Sequence, residues 1–431
     1  MTGQEMPPRL QSFFVFGAAT YISIYSLEGV VRYGLSIGGA DTAILARDLL
    51  IWLPLVGLLL YQATRLRVGR SFLIYVAVIA VHGSIIYLNF RTTLPVVYGA
   101  KLLINVLFGF VAATLITHPG RRLSQLFVLL WVAGIIGLTL EKFFFDMPWV
   151  GMSATIGGLA VDVSHNWDIV DPLEKRVAGF TRGSIAAATV FPILSLLIAV
   201  RVRSWRLRAF ILLTTAGAVF ATTQKGSFVA YAVVVALLLG PLRWRVPLLR
   251  LACIAFALML VALPVVTPGL ILTMSGGVFS MASFAMRIQL TWPLAWDWIT
   301  HNEIFPFGVG LGGIGGPQRF FAPDFFNPSD NLFVFMYANF GVFALLYLGA
   351  LCSVVVRLPR RPPPEAMGAL ATLTFLLGYG AVLSMIEDQM ASLFLGACAG
   401  SLWQFRVRHR ATQEADRSII LTPQFAHQEA G

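Results

Sequence analysis

Long apolar runs separated by short polar breaks recur from one end of the chain to the other, and most of the breaks carry arginine. A run of about 17–25 apolar residues is what a helix needs to cross a bilayer. In lipid a helix satisfies its own backbone donors and acceptors, whereas a closed barrel would show short alternating segments. No alternation of that kind is present. The pattern predicts twelve spans, at residues 12–31, 43–61, 71–90, 95–117, 124–140, 183–202, 209–222, 227–239, 249–266, 331–355, 367–385 and 390–405. The seventh and eighth are short and meet at TTQKGS, so they read as a broken hairpin dipping to a polar turn.

Positive residues in short loops stay on the cytoplasmic side. Arg65, Arg67 and Arg70 mark one side of the membrane. So do Arg121 and Arg122, the arginines of 201–208, Arg243 and Arg245, Arg357, Arg360 and Arg361, and the arginines of 406–410. Every second loop is basic. With twelve spans this places both termini in the cytoplasm and two long segments, 141–182 and 267–330, on the outer face. The expected fold is an all-α polytopic membrane protein, with a single transmembrane domain over 1–405 and a short cytoplasmic tail over 406–431. The first apolar run is longer than a cleavable signal, and no small-residue cleavage site follows it, so it is expected to remain as a helix.

Composition agrees: 58% of residues are hydrophobic and 12% charged, and the mean hydropathy is +0.79, the profile of an integral membrane protein. A net charge of +11 invites a nucleic-acid reading. The charges, however, lie in membrane-flanking loops with no basic and aromatic platform, so no nucleic-acid partner is expected. Cys253, Cys352 and Cys398 fall within predicted spans, where cysteine is a small apolar filler rather than a metal ligand or a disulfide partner.

Chemistry is sought where charge reaches the outer face without a packing motive. Arg182 opens a helix in TRGSIAA, where the helix dipole disfavours a cation unless an anion is present. Lys225 sits in TTQKGS. Arg287 precedes Trp292, and a glycine-rich turn follows at Gly308, Gly310 and Gly312. Asp330 and Asn331 stand before the next apolar run. Each has an ordinary alternative: snorkelling to headgroups for the cations, an ion pair for Arg287, helix capping for Asp330, and an interfacial aromatic belt for the tryptophans and phenylalanines of 292–326. Cations converging beside a bilayer suit a lipid-linked phosphate or diphosphate. The glycines would let backbone N–H groups approach that anion, and a partly buried Asp330 would accept a proton from an attacking hydroxyl.

Over roughly residues 180–343 these motifs resemble the O-antigen ligase and polysaccharide polymerase superfamily of bacterial inner membranes. The carriers are TRGSIAA with Arg182, QKGS with Lys225, Arg287 before Trp292, the PxxGVGxG-like stretch from Pro306 to Gly312, and the Asp330-Asn331 pair at the start of a helix. Two departures stand out. Lys225 occupies a place where arginine is usual, and Asp330 one where the ligases carry histidine. The second favours the polymerase branch. His301 and His165 lie on the expected outer face but at neither motif position.

The resemblance implies an inverting glycosyl transfer without metal, cofactor or nucleotide sugar, on the periplasmic face. A glycan on undecaprenyl diphosphate is the donor, and a hydroxyl of another lipid-linked repeat unit attacks its anomeric carbon. Asp330, Arg287 and Lys225 would be catalytic, and Arg182, Trp292, Gly308, Gly310, Gly312 and Asn331 substrate-binding. The absence of a DxD-like pair in the outer loops agrees with a cation-stabilised leaving group. A flippase and a chain-length regulator of the same pathway are the implied protein partners. The competing reading from another class is a transporter, whose pathway charges would be Glu28, Asp41, Arg47 and Lys101.

Overall fold

Each of the twelve predicted apolar runs coincides with helical structure in the computed structural model of the protein, which describes residues 6–65, 69–156, 159–164, 175–271, 280–359 and 362–421. The chain begins with α1 (Pro8–Ser26) and α2 (Glu28–Ile37), then a 3-10 turn (Asp41–Asp48) that leads into α3 (Leu49–Ala63). There follow α4 (Arg70–Phe90), α5 (Leu94–Val111), α6 (Ala113–Thr117) and α7 (Arg121–Phe143). A two-stranded antiparallel hairpin, β1 (Ser153–Ile156) with β2 (Leu159–Asp162), interrupts the helices. The second half continues with α8 (Ser184–Ala199), α9 (Trp205–Ala221), α10 (Lys225–Leu239) and α11 (Leu242–Val266). Then come α12 (Ala282–Met286), α13 (Trp292–Thr300), α14 (Leu332–Phe340), α15 (Phe343–Val356), α16 (Pro364–Gly380) and α17 (Gln389–Leu421).

Among the described residues, five helical stretches are long and apolar enough to cross a membrane: α3 with its 3-10 lead, α4, α5, α7 and α11. A sixth is counted if α1 and α2, bent by 80° at Leu27, form one span. Several remaining apolar helices are shorter. Helix α8 is buried over nearly its whole circumference, and so is α16. Helices apolar on every side belong in the middle of a bundle. The hairpin departs from the all-α expectation. Its strands flank Gly157-Gly158, a turn signal, and a search for long apolar runs passes over so short an element.

The helix ends sort into two poles. At one, Arg201 Nη1 donates to the Pro119 carbonyl and to Ser124 Oγ, each at 2.9 Å, Arg250 donates to the Pro359 carbonyl, and His118 lies 3.3 Å from Glu365. The arginine-bearing loops therefore gather together. At the other pole, the buried carboxylate of Glu141 at the end of α7 accepts the amides of Ala178 (2.8 Å) and Gly179 (2.5 Å). Gly29 N, at the start of α2, donates to the Phe180 carbonyl at 3.0 Å. These bonds fix the segment that carries Arg182.

Helices α5 and α17 approach backbone to backbone through glycines. A Cβ at Gly109 would lie 1.9 Å from the Leu393 carbonyl oxygen, and one at Gly396 would lie 2.0 Å from that of Val106. Small residues are the usual means of close packing between membrane helices, where dispersion rather than water exclusion holds them together. Gly396→Val is expected to push the pair apart at a cost of about 1–3 kcal/mol, seen as a lowered midpoint of thermal unfolding in detergent. An unchanged midpoint would mean the approach is not tight.

Candidate functional site

At the pole opposite the arginine loops, four chain segments separated widely in sequence meet. The start of α10 packs on the end of α16: a Cβ at Gly226 would lie 2.2 Å from Val382 Cγ2 and 3.6 Å from the Tyr379 ring. Gln224 Nε2 donates to Ser184 Oγ at 3.0 Å, joining the start of α10 to the start of α8. Asn331 Nδ2 donates to the Ala381 carbonyl at 3.0 Å, joining α14 to the segment 381–388. Arg182, Lys225 and Asp330 belong to these same segments. The structure thus brings together elements that carry four candidates distant in sequence, since Arg287 joins them through Asp330.

Arg287 opens a single π-helical turn, Arg287–Thr291, set between α12 and α13. Such turns swing a side chain off the regular helical register and recur at functional sites. Its Nε lies 3.2 Å from Asp330 Oδ2, and its Nη1 donates to Ser283 at both the carbonyl (3.1 Å) and Oγ (2.6 Å). Asp330 and Ser329 both adopt left-handed backbone, with φ of 43° and 59°. Consecutive strained residues of this kind persist only where their surroundings hold them. Here the Asn327 side chain accepts from Ser329 N at 2.7 Å and donates to the Thr291 carbonyl at 2.8 Å. One amide therefore locks the aspartate's loop to the arginine's turn. Burial raises the Asp330 carboxyl above its ordinary value, and Arg287 opposes the shift.

Lys225 Nζ donates to the Ser280 carbonyl, and Thr223, two residues before it, is a further left-handed position, with φ of 59°. Arg182 is placed differently. Its neighbours are Arg32, Glu28, Tyr25 and Arg47. Glu28 lies 2.7 Å from Arg32 and 3.0 Å from Arg47, and Asp48 lies 3.9 Å from Arg47 and 2.7 Å from Lys101. In this group four cations surround two carboxylates, and Glu28, Arg32 and Arg47 are buried. Burial holds the Arg182 guanidinium below its usual pKa, Arg32 adds repulsion, and Glu28 opposes both. Three residues of the transport reading thus become neighbours of the transferase candidates.

The acidic pair Glu387-Asp388, between α16 and α17, went unnoticed in the sequence. Glu387 accepts from Gly316 N and from Ser384 Oγ, both at 2.6 Å. Burial raises its carboxyl, those donors oppose the rise, and the Asp330 charge adds to it. Asp388 accepts from the Tyr25 hydroxyl at 2.5 Å and from Ala391 N at 2.8 Å. Burial carries it to about 6, against the pull of those donors. Tyr379 lies within electrostatic reach of Asp388, Arg287 and Asp330. Two adjacent acids between apolar runs, in a chain with only 20 acidic residues, were the available signal. Nothing in the spacing tied them to a loop near residue 316.

Other expected roles meet their surroundings less well. The glycines do not offer a cradle of amides. Val309 N and Gly310 N donate to the Ala338 carbonyl, Leu311 N to that of His82, and Gly312 N to Asn339 Oδ1. The structure corrects the expectation of amides open to an anion. Gly308, Gly310 and Gly312 take positive φ and lie against backbone, a Cβ at Gly310 falling 2.3 Å from Ile86 N. Their work is close packing on α4, α5 and α14. Trp292 is fully buried, edge-on to Phe284 at 5.9 Å between ring centroids, so its faces are closed to a sugar in this state. Asn331, not Asp330, caps α14, accepting from Phe333 N (2.8 Å) and Val334 N (3.0 Å). The remaining amide hydrogens of Asn331 go to the Leu260 and Ala381 carbonyls. His301 is exposed and 3.0 Å from Asp297. His165 lies outside the described residues, among which no group of three His, Cys, Asp or Glu side chains is placed to hold a metal ion.

With all its bonds made inside the protein, Asn331 is expected to act on stability. Asn331→Ala should cost about 1–3 kcal/mol by leaving buried groups unsatisfied, read as a lower unfolding midpoint in detergent. A variant as stable as the parent, but impaired in activity, would return Asn331 to the substrate.

Comparison with curated proteins gives no match. A family model described as O-antigen ligase matches residues 209–349. That segment holds Lys225, Arg287, Trp292, the three glycines, Asp330 and Asn331, and it excludes Arg182. Over this third of its length, the apolar helical chain is similar to the O-antigen ligases, which supports its place in the superfamily of O-antigen ligases and polysaccharide polymerases.

Proposed function

We propose that the protein is a polysaccharide polymerase of the bacterial inner membrane. It joins repeat units carried on undecaprenyl diphosphate by inverting glycosyl transfer at the periplasmic face, as one transmembrane domain of about twelve spans. The observation that carries this reading is the Arg287–Asp330 pair, 3.2 Å apart, at the position where the resembling ligases bear histidine. The gathering of arginine loops at the opposite pole supports a cytoplasmic assignment for that end and a periplasmic one for the site.

The acceptor hydroxyl attacks the anomeric carbon of the donor glycan, the bond to the diphosphate breaks, and the hydroxyl proton passes to Asp330. A carboxyl raised by burial is a stronger base than an ordinary one. Arg287 has five N–H donors. Nε faces Asp330 and Nη1 faces Ser283, so Nη2 is the edge for the departing diphosphate. Lys225 and Arg182 add positive charge where the leaving group gains negative charge. Glu387 positions the 313–316 turn rather than meeting substrate, because its carboxylate is taken by Gly316 and Ser384.

The second reading is a ligase that passes finished polymer to another acceptor, favoured by the description of the matched family. Lipid-linked glycans in a deletion strain separate the two. Single repeat units accumulate if the protein is a polymerase, and finished polymer accumulates if it is a ligase. Arg287→Ala is expected to lower transfer by about 100-fold or more at normal protein level, and wild-type chain length in that variant would remove its catalytic role. Asp330→Asn is expected to cost about 100-fold or more. Because the base must be ionised, wild-type activity should fall as pH drops through a value above the ordinary carboxylate range. That acid limb should vanish in the residual activity of Asp330→Asn.

A further inference from the structure

Beside the proposed centre, a cleft of about 570 Å³ opens between the end of α4, the end of α13 and the 324–327 loop. Its wall is an aromatic pile. Trp298 is stacked between Phe90 (5.7 Å, 19°) and Phe325 (5.4 Å, 24°), and Trp298 Nε1 is anchored on the Gly313 carbonyl at 2.9 Å. Phe325, the outer ring, is 64% exposed. An apolar ring of this size left open at the end of an ordered stack is a platform that no other described residue covers. Around it stand hydrogen-bonding side chains: Asp297, His301, Asp324 and Asn302. Asp297 and His301 are well exposed.

The cleft and the centre share one wall, Asn327, which lines the cleft and also holds Ser329 and the Arg287 turn in place. Ten residues of helix separate Arg287 from Asp297, about 15 Å along the axis. The opening therefore lies a few sugar units from the bond being made, outside the cluster of cations.

We infer that this cleft binds a neutral, hydroxyl-rich glycan segment next to the transferred bond, with a sugar ring on Phe325 and its hydroxyls donating to Asp297 and Asp324. This rests on the transferase reading. The chemistry favours sugars for two reasons. A pyranose has an apolar face that packs on an aromatic ring, and its hydroxyls are donors suited to carboxylates, which only accept. Three carboxylates, Asp297, Glu303 and Asp324, line the cleft, and their charge selects against uronic acid residues at this subsite. The aromatic stack does not require lipid to explain it, since the ring is bordered by carboxylates that a hydrocarbon phase would penalise.

The test uses the full chain in detergent. It is titrated with repeat-unit oligosaccharide released from the producing cell's own lipid-linked glycan by mild acid, and binding is followed by tryptophan fluorescence. Binding to the parent is expected to weaken about tenfold in Phe325→Ala and in Asp324→Asn, and to survive in Arg287→Ala. Both altered side chains are on the surface, and an unchanged unfolding midpoint excludes misfolding. In a transfer assay the same variants should raise KM for the lipid-linked single unit if the cleft holds the acceptor, or shorten the product chains if it holds the growing donor. Binding and transfer equal to the parent in both variants would overturn the inference while leaving the transferase reading intact. Cleft-dependent binding in a protein whose Arg287→Ala form still makes polymer would do the reverse. Equal binding of an oligogalacturonate would overturn the charge selection.

Discussion

A carboxylate at the mouth of an apolar helix bundle has to be met by donors, and Glu387 and Asp388 are met by two neighbours in sequence and by two distant parts of the chain. Gly316 and Ser384 serve Glu387, while Tyr25 and Ala391 serve Asp388. Leaving one such group unsatisfied costs about 1–3 kcal/mol, and more when it is charged. The pair therefore holds α1, the glycine turn and the start of α17 at one pole. Tyr379 lies within electrostatic reach of both this corner and the Arg287–Asp330 pair. The site is a consequence of where the acids are paid for in hydrogen bonds.

The same logic explains the division of labour among the cations. Buried ion pairs contribute little net stability, yet breaking one is expensive. The group around Glu28 holds more positive than negative charge in a buried setting. Its nearness to Arg182 joins the first two helices to the segment that opens α8. Arg287 and Asp330, by contrast, are partly open, and Asp330 sits in left-handed backbone that its surroundings must hold.

Arg287 and Asp330 were visible because charge is scarce in this chain, and the fold places them side by side. The glycines were visible too, but the role read for them was an anion cradle, whereas they are spacers that let a loop lie on three helices. A φ requirement and a close approach leave the same mark in a sequence, and only the location of neighbouring backbone separates them. The sequence offers Asn331 as a ligand contact beside Asp330, for which capping is the alternative to a catalytic role. In the fold the cap is Asn331, because the left-handed turn at Ser329 and Asp330 carries the aspartate away from the helix axis.

What the chain determined by itself is the class of object: long apolar runs with arginine breaks become helices, which satisfy their own backbone in lipid, and the short alternating segments of a closed barrel are absent. It also determined where scarce charges stand along the chain. What only the tertiary structure decided is which of those charges meet. Tyr25 and Asp388 are separated by 363 residues, and Lys225 and Ser280 by 55. Hydrophobic periodicity says which residues avoid water, but carries no information on which helix neighbours which. That order is set by side-chain volumes and by the glycines that let α5 meet α17, and so the site exists only once the bundle has packed.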